Sequence, residues 1–457
     1  MSATVTEQLG AFVAETNLAN IPPAVIGRAK VSLLHDFTMT LAGRRVETIG
    51  HIIARRLWSA PPQATMLWDG SKIALEGAVF ANAALMHARS QDDTHPGSTS
   101  HPGAATIPAA LAVAEARGRT GAEFLTACIL GYEIIGRVGR PVAGVVTPRG
   151  YRPAMLFGGF GAAAAAAKLL GLDGRTIADA LGFAAHLAGG LGQVWHEGSP
   201  EWPLQLGFAA RNGVTAALAA ELGAGAAHQI LEGPMGFYKA LTGSTDAARS
   251  ITDRLGEDWQ IAEATIKPYP VCAILQGPVG IMIALAQEHR LTPDGIEEIR
   301  LELNPFEANY PGTDNAGPYD THTATSMSGQ FCMALALLDR HVAIDGMLRF
   351  DNPTVTRLAR RVRIVPDETI AIRSCRLKIR TTDGRMISSE VGAPVGRPTF
   401  DEQAALVRAL QPELAVGTDT VEQFIAIIAA LESQANVAPL LSCLVPSHNG
   451  GATLSSK

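Results

Sequence analysis

Six alanines in a row, residues 162–167, preceded by Gly158, Gly159 and Gly161, constrain this chain more than any other stretch. Alanine is the best helix former and glycine adds no side chain, so residues 154–170 predict a helix that neighbouring backbones approach very closely. The composition agrees: 46 glycines and only 5% aromatic residues suit tightly packed helices, and 47% hydrophobic content is not that of a disordered chain.

Helical spacing extends in both directions from that run. Apolar residues recur along residues 4–41, with Pro22-Pro23 marking a helix start between two segments. Residues 75–88, 103–117 and 121–138 predict three more helices, with Gly118 and Gly121 punctuating the last two. Residues 142–153 hold Pro148, Gly150 and Pro153 and read as a loop, and helices follow at 175–189 and 206–223. The Gly158-Gly159-Phe160-Gly161 run is no nucleotide-binding turn, because no strand precedes it.

Near residue 260 the pattern changes. Residues 299–303 and 375–381 alternate apolar and polar with period two, residues 362–365 form a third short strand, and Thr382-Asp383-Gly384 signals a hairpin into residues 386–390. Helices at 279–288, 328–339 and 352–361 lie among them. Residues 400–431 return to helix and are expected to pack back on the first part, while residues 436–457 read as a loosely held polar tail. The expected architecture is a large all-helical domain from both chain ends (1–261 and 399–457) plus an α+β domain (262–398). A chain of 457 residues is too long for one ordinary core, since domains run to about 100–200 residues.

A net charge of −6 with no basic block argues against a nucleic-acid partner. Five scattered cysteines without a C-x-x-C pair fit a reducing compartment. The N-terminal residues lack a signal-peptide pattern, and the apolar runs fall short of the about 20 residues a bilayer span needs. The expectation is a soluble cytoplasmic protein with no membrane partner.

The strongest candidate for chemistry is the loop Ser90-Gln-Asp-Asp-Thr-His-Pro-Gly-Ser-Thr-Ser-His-Pro-Gly103, pinned between two apolar helices so that its side chains face a cleft. The alternative is a solvated loop in which Asp92, Asp93 and Thr94 cap a following turn. Lys267-Pro-Tyr-Pro-Val-Cys272 sits at the domain junction, where two prolines hold the backbone extended. A lysine in a partly dry cleft has a lowered pKa and serves as acid, base or counter-charge; in water it is only a linker residue. Arg149, Tyr151 and Arg152 either offer a fork for carboxylates or are ordinary surface groups. Tyr310, Tyr319 and His322 lie in another irregular stretch that either closes over a ligand or merely connects elements. His186, in an apolar helix, is expected to be a packed core histidine, and no histidine spacing marks a helical metal site.

In order along the chain stand Asp92-Asp93-Thr94 with His101-Pro102-Gly103, Gly131-Tyr132-Glu133, the alanine run with Lys168-Leu169-Leu170-Gly171-Leu172, and Pro203-Leu204 with Arg211-Asn212-Gly213. Leu231-Glu232-Gly233 and Lys267-Pro268-Tyr269-Pro270 follow. This series resembles the MmgE/PrpD family, whose members include 2-methylcitrate dehydratase, cis-aconitate decarboxylase and iminodisuccinate epimerase. The resemblance implies a helical domain with an inserted α+β domain, a homodimer, small di- or tricarboxylate substrates and a metal-free site between the domains.

It also implies proton removal next to a carboxylate or carbonyl, after which the intermediate expels water, loses carbon dioxide or is reprotonated on the other face. Thr94, His101, Lys267 and Tyr269 match the family's catalytic positions. Ser90 stands where an aspartate is usual, Arg152 and Gln276 where histidines are, Trp202 and Gln205 where a lysine and a histidine are, and Phe331 where the decarboxylase has a tyrosine. Arg152, Arg149, Asp93, Gln205 and Gln276 are the expected substrate-binding residues. The first expectation is a dehydratase-like hydro-lyase that calls for no diffusible cofactor. The alternatives are an epimerase or racemase, which needs no acid for a leaving group, and a non-catalytic polycarboxylate binder.

Overall fold

A computed structural model describes residues 3–46, 49–392 and 396–446. The alanine-rich segment forms the helix Pro153–Leu170, with proline in its first turn and Gly171 in the left-handed region (φ 76) at its end. It has the length and hydropathy of a membrane span, yet 83% of that window is buried inside the fold. The glycines explain the packing. A Cβ on Gly161 would lie 2.7 Å from the Gly131 carbonyl, and one on Gly213 would overlap the Gly159 carbonyl. Helices Gly121–Gly139 and Trp202–Glu221 therefore touch this central helix backbone to backbone.

Around it stand Val5–Glu15, Pro23–Gly43, Leu75–His87, Pro102–Arg117 and Gly174–His186. Thr4 with Glu7, and Thr120 with Glu123, form capping boxes that satisfy the first backbone N–H groups of their helices. One continuous hydrophobic core joins residues between Leu9 and Ala264 with residues between Ala404 and Leu444. The second chain end enters through Phe400–Ala409, Thr418–Ala429 and Ala438–Leu444.

A second core is built from residues between Val271 and Ile387. Its sheet runs Val362–Pro366, Ile296–Leu303, Cys375–Thr381, Met386–Val391, the first pair parallel and the others antiparallel. Ile299, Leu301, Leu303, Leu377 and Ile379 are fully buried in this core, with the helices Gln276–Glu288 and Gly329–Asp339. Arg376 and Lys378, alternating with these apolar positions, reach Glu302 at 3.0 and 2.6 Å.

Three local expectations are corrected. Residues 142–153 contain the helical turns Ala143–Val146 and Thr147–Arg149, because the breaking prolines stand at helix starts, where a missing N–H costs nothing. His186 is exposed at the end of its helix and is not a core residue. Part of the polar tail is ordered: Leu440, Leu441, Cys443 and Leu444 are buried on one face of Ala438–Leu444, and residues 447–457 lie outside the described residues.

Candidate active site

The loop that follows Leu75–His87 leaves its helix through Ser90, a non-glycine residue at φ 60. Two residues on either side of a short bridge then fix its partner: the Thr94 N–H donates to the Thr265 carbonyl at 2.9 Å and the Thr265 N–H to the Thr94 carbonyl at 2.7 Å. Lys267, two residues beyond, is thereby held against the loop. Its ammonium donates to the Ser90 carbonyl at 2.6 Å and lies 3.6 Å from Asp92 Oδ1. Burial lowers the Lys267 pKa, with the negative charge of Asp92 opposing that shift.

His101 precedes the helix Pro102–Arg117. Its Nδ1 lies 2.8 Å from the Asp93 carbonyl and 3.3 Å from Asp92 Oδ2. A carbonyl only accepts, so Nδ1 carries the proton and Nε2 of the neutral ring keeps an unshared pair. Burial holds this imidazole well below its ordinary value, against the pull of Asp92 and with the help of Lys267.

Beneath these groups lies a relay of fixed donors. Arg152 Nη2 donates to His87 Nε2 at 2.6 Å, and His87 Nδ1 donates to Asp92 Oδ2 at 2.8 Å. Arg152 Nη1 also donates to the Trp202 carbonyl at 2.6 Å and to Gln205 Oε1 at 2.9 Å, while its guanidinium carbon sits 4.7 Å over the Trp195 ring. Burial brings the Arg152 pKa down only to about 10, so it stays charged. Arg152 thus bonds to both Trp202 and Gln205, two other positions where this chain departs from the resembled pattern.

These groups surround a cavity of about 430 Å³, lined by Ser90, Thr94, His101, Arg152, Trp195 and Lys267 from one side of the sequence and by Cys272, Glu307, Tyr310 and Arg373 from the other. Ile274, Met327, Phe306 and Ile372 supply apolar wall. The buried Thr94 hydroxyl has no partner among the described residues. His101, Lys267, Thr94 and Arg152 are therefore brought together around one cavity.

Cys272 and Tyr310 also line the cavity, whereas Asp93, Gln276, Tyr269, Gln205 and Arg149 do not. The Asp93 carboxylate is buried behind the loop, where Oδ1 accepts from the Gly103 N–H at 3.1 Å and the Asp93 N–H donates to Asp36 Oδ1 at 3.0 Å. It props up the loop and does not line the cavity. Gln276 is occupied with the backbone of Tyr269 and Val271, which holds the Lys-Pro-Tyr-Pro turn, and Tyr269 is not among the residues that line the cavity. Gln205 is Arg152's acceptor, with its amide nitrogen 3.3 Å from the Leu191 carbonyl. Arg149 is exposed and donates to the Leu241 carbonyl. Phe331 is buried in the second core, 5.0 Å edge-on from Tyr319.

Sequence reasoning missed His87, Glu307 and Arg373 as members of the site, and gave Asp92, inside the candidate loop, no role of its own. His87, Asp92 and His101 bring possible ligand atoms within 4.8 Å of one another. Both Nδ1 atoms are committed as donors and two cations, Arg152 and Lys267, adjoin the cluster, so it is a cation-flanked carboxylate and fits a further cation poorly.

Fold and cavity define an enzyme of two-domain build. The chain belongs to the MmgE/PrpD family: the profile of the MmgE/PrpD N-terminal domain matches residues 7–250 and that of the C-terminal domain matches residues 269–424. Among its relatives are the cis-aconitate decarboxylase of Aspergillus terreus, 26% identical over 96% of both chains, and that of Homo sapiens, 25% identical over 97% of this chain and 95% of the relative. A cis-aconitate decarboxylase-like protein, oryM, of Aspergillus oryzae is 25% identical over 96% of this chain and 97% of its own.

Proposed function

We propose that this lyase acts on a small di- or tricarboxylate at a carbon next to a carboxylate, with decarboxylation of an aconitate-like acid as its first reading. The observation that carries it is the shared cavity, in which the unshared pair on His101 Nε2 and the Lys267 ammonium serve one space. Decarboxylation comes first because three aligned relatives carry that activity in their names. Tyr310 supplies a cavity phenol, its pKa pushed up by burial to about 12, where Phe331 has none to offer.

In that reaction the bond to the departing carboxylate breaks and carbon dioxide leaves. The electron pair stays on carbon, conjugated to a neighbouring carboxylate, and the Lys267 ammonium delivers a proton to that carbon. Lys267 has three N–H donors; one is held by Ser90, one faces Asp92, and one is left for substrate. Arg152 offsets substrate charge. Dehydration uses the same pair differently: His101 Nε2 takes the α-proton and Lys267 protonates the leaving hydroxyl. The division of the chain at 261/262 and 398/399, and a homodimer, belong to the same proposal and follow the family.

Proton NMR in D₂O with cis-aconitate, 2-methylcitrate and aspartate-like amino dicarboxylates tests it. Carbon dioxide loss with one deuterium gained supports decarboxylation, elimination supports a dehydratase, and exchange with inversion supports an epimerase. Full turnover by both His101→Ala and Lys267→Ala would remove the assigned roles.

A further inference from the structure

The part of the cavity wall supplied by the second core holds an ion pair that the chemistry above leaves unused. Glu307, in the short helix Pro305–Ala308, is 2% exposed, and its Oε2 accepts from the Arg373 backbone N–H at 3.0 Å. Its Oε1 lies 3.7 Å from Arg373 Nε. Arg373 itself sits at φ 65, a left-handed conformation that is unfavourable for a residue with a side chain.

One carboxylate therefore secures both the strained backbone of Arg373 and the near edge of its guanidinium. The far edge is free. Arg373 Nη1 and Nη2 have no hydrogen-bond partner among the described residues, and the side chain is 23% exposed at the cavity. Arg152, by contrast, already commits three of its five N–H groups to Trp202, Gln205 and His87. Two parallel N–H groups on a planar guanidinium match the two oxygens of a carboxylate, a geometry that a lysine does not reproduce. Phe306 and Ile372, the chain neighbours of Glu307 and Arg373, supply apolar wall to the same cavity.

We infer that Arg373 is a specificity-determining residue whose Nη1–Nη2 edge binds a substrate carboxylate remote from the reacting carbon, and that Glu307 is the positioning residue that aims it. Neither residue forms a hydrogen bond or ion pair with His101 or Lys267, so this subsite acts on affinity and selection and not on proton transfer. The inference rests on the polycarboxylate reading and narrows it to acids carrying a carboxylate at each end.

Calorimetric titration with tricarballylate and with its 1,3-diamide, which offers no terminal carboxylate in either orientation, tests both roles. The wild-type protein is expected to prefer the triacid by at least about 10- to 100-fold, the range of a charge-assisted bidentate pair. Arg373→Gln is expected to lower that preference by about tenfold or more, because a neutral side chain accommodates the amide as well as the acid. Arg373→Lys keeps the charge and retains part of the ratio. Glu307→Gln keeps an acceptor for the Arg373 N–H but loses its charge, and is expected to lower the ratio by about threefold. Melting curves identify the folded variants, and either folded Arg373 substitution decides the matter. A merely structural role weakens both probes equally and leaves the ratio at its wild-type value, which overturns this inference alone. A wild-type protein that binds neither probe overturns the polycarboxylate reading and this one with it.

Discussion

His87 accepts a hydrogen bond from Arg152 at Nε2, 2.6 Å away, and for that reason can meet Asp92 only as a donor through Nδ1. A guanidinium has no lone pair, so the contact fixes the tautomer of a fully buried ring. Burial, together with Arg152 and Lys267, holds this imidazole well below its ordinary value. His87→Ala leaves an arginine N–H and a carboxylate oxygen buried without partners, and is expected to cost about 2–4 kcal/mol in urea unfolding. His87→Gln can accept from Arg152 and donate to Asp92, and is expected to recover at least half of that loss. Equal losses in the two variants would show that ring packing against Trp202, and not the relay, is what matters.

A second network behind the loop titrates. Tyr132 donates to Asp36 Oδ2 at 3.0 Å, Asp36 Oδ1 accepts from the Asp93 N–H, and burial is the main cause that raises both carboxyls, Asp93 to about 7. The folded state thus keeps a proton that the unfolded chain releases above the ordinary carboxylate range. Its contribution to stability is complete at low pH and is lost as pH rises through about 7. Asp36→Asn removes one of the two charges; its amide oxygen can still accept from the Asp93 N–H, and its amide N–H then faces the Tyr132 oxygen. It is expected to gain about 1–3 kcal/mol on the wild type between pH 5 and pH 9. Buried His35 and His95, both held down to about 4, tilt the wild-type curve the other way, so the difference between the two melting curves is the quantity to follow. Parallel curves would mean that the pair does not share a proton.

The same atoms explain a glycine. A Cβ on Gly103 would overlap Asp36 Oδ2 and lie 2.6 Å from the Tyr132 hydroxyl, whereas one on Gly27, on an exposed face of Pro23–Gly43, meets nothing within 4 Å. Gly103→Ala is expected to destabilise by about 2–3 kcal/mol, through overpacking of polar atoms that have nowhere to move. Gly27→Ala is expected to stabilise by about 0.5–1 kcal/mol, through helix propensity alone. Thermal melts of the two variants should therefore shift in opposite directions; a shift in the same direction would place Gly103 outside the tight packing described.

What the chain's pattern reveals about this site follows how local each signal is. Lys267 and His101 are legible because proline and glycine mark irregular backbone around them, and a charged group in such a segment has a direction. The close approach of helices at Gly131, Gly161 and Gly213 is likewise written in small residues. His87 is not legible in this way: it ends an alanine-rich helix that reads as core, and the partner that gives it meaning, Arg152, is 65 residues away. Glu307 and Arg373 are 66 apart, and nothing in the residue type arginine announces a left-handed backbone. Asp93 misled for the converse reason. Its place in a polar loop suggests a ligand, yet alternate residues of the loop face opposite ways, so Thr94 lines the cavity while Asp93 meets Asp36.

The pH dependence of turnover separates the two proposed acid–base groups. Where His101 takes the α-proton it works with Nε2 unprotonated, and burial holds its pKa well below the ordinary 6.5, so the acid limb of kcat/KM is expected well below that value. Lys267 works as the ammonium, and burial lowers it from 10.5, so the alkaline limb is expected below 10.5. Activity should therefore fall at both ends, with the plateau displaced toward acid relative to free imidazole and amine. Lys267→Arg supplies a cation that does not titrate in this range. If Lys267 is the proton donor, that variant loses at least about a hundredfold in kcat at every pH, because a guanidinium does not release the proton. If Lys267 only balances substrate charge, Lys267→Arg keeps most of its rate and loses the alkaline limb. The second outcome would pass the acid role to another cavity group, with the Tyr310 phenol, already inside the cavity, as the group to substitute next.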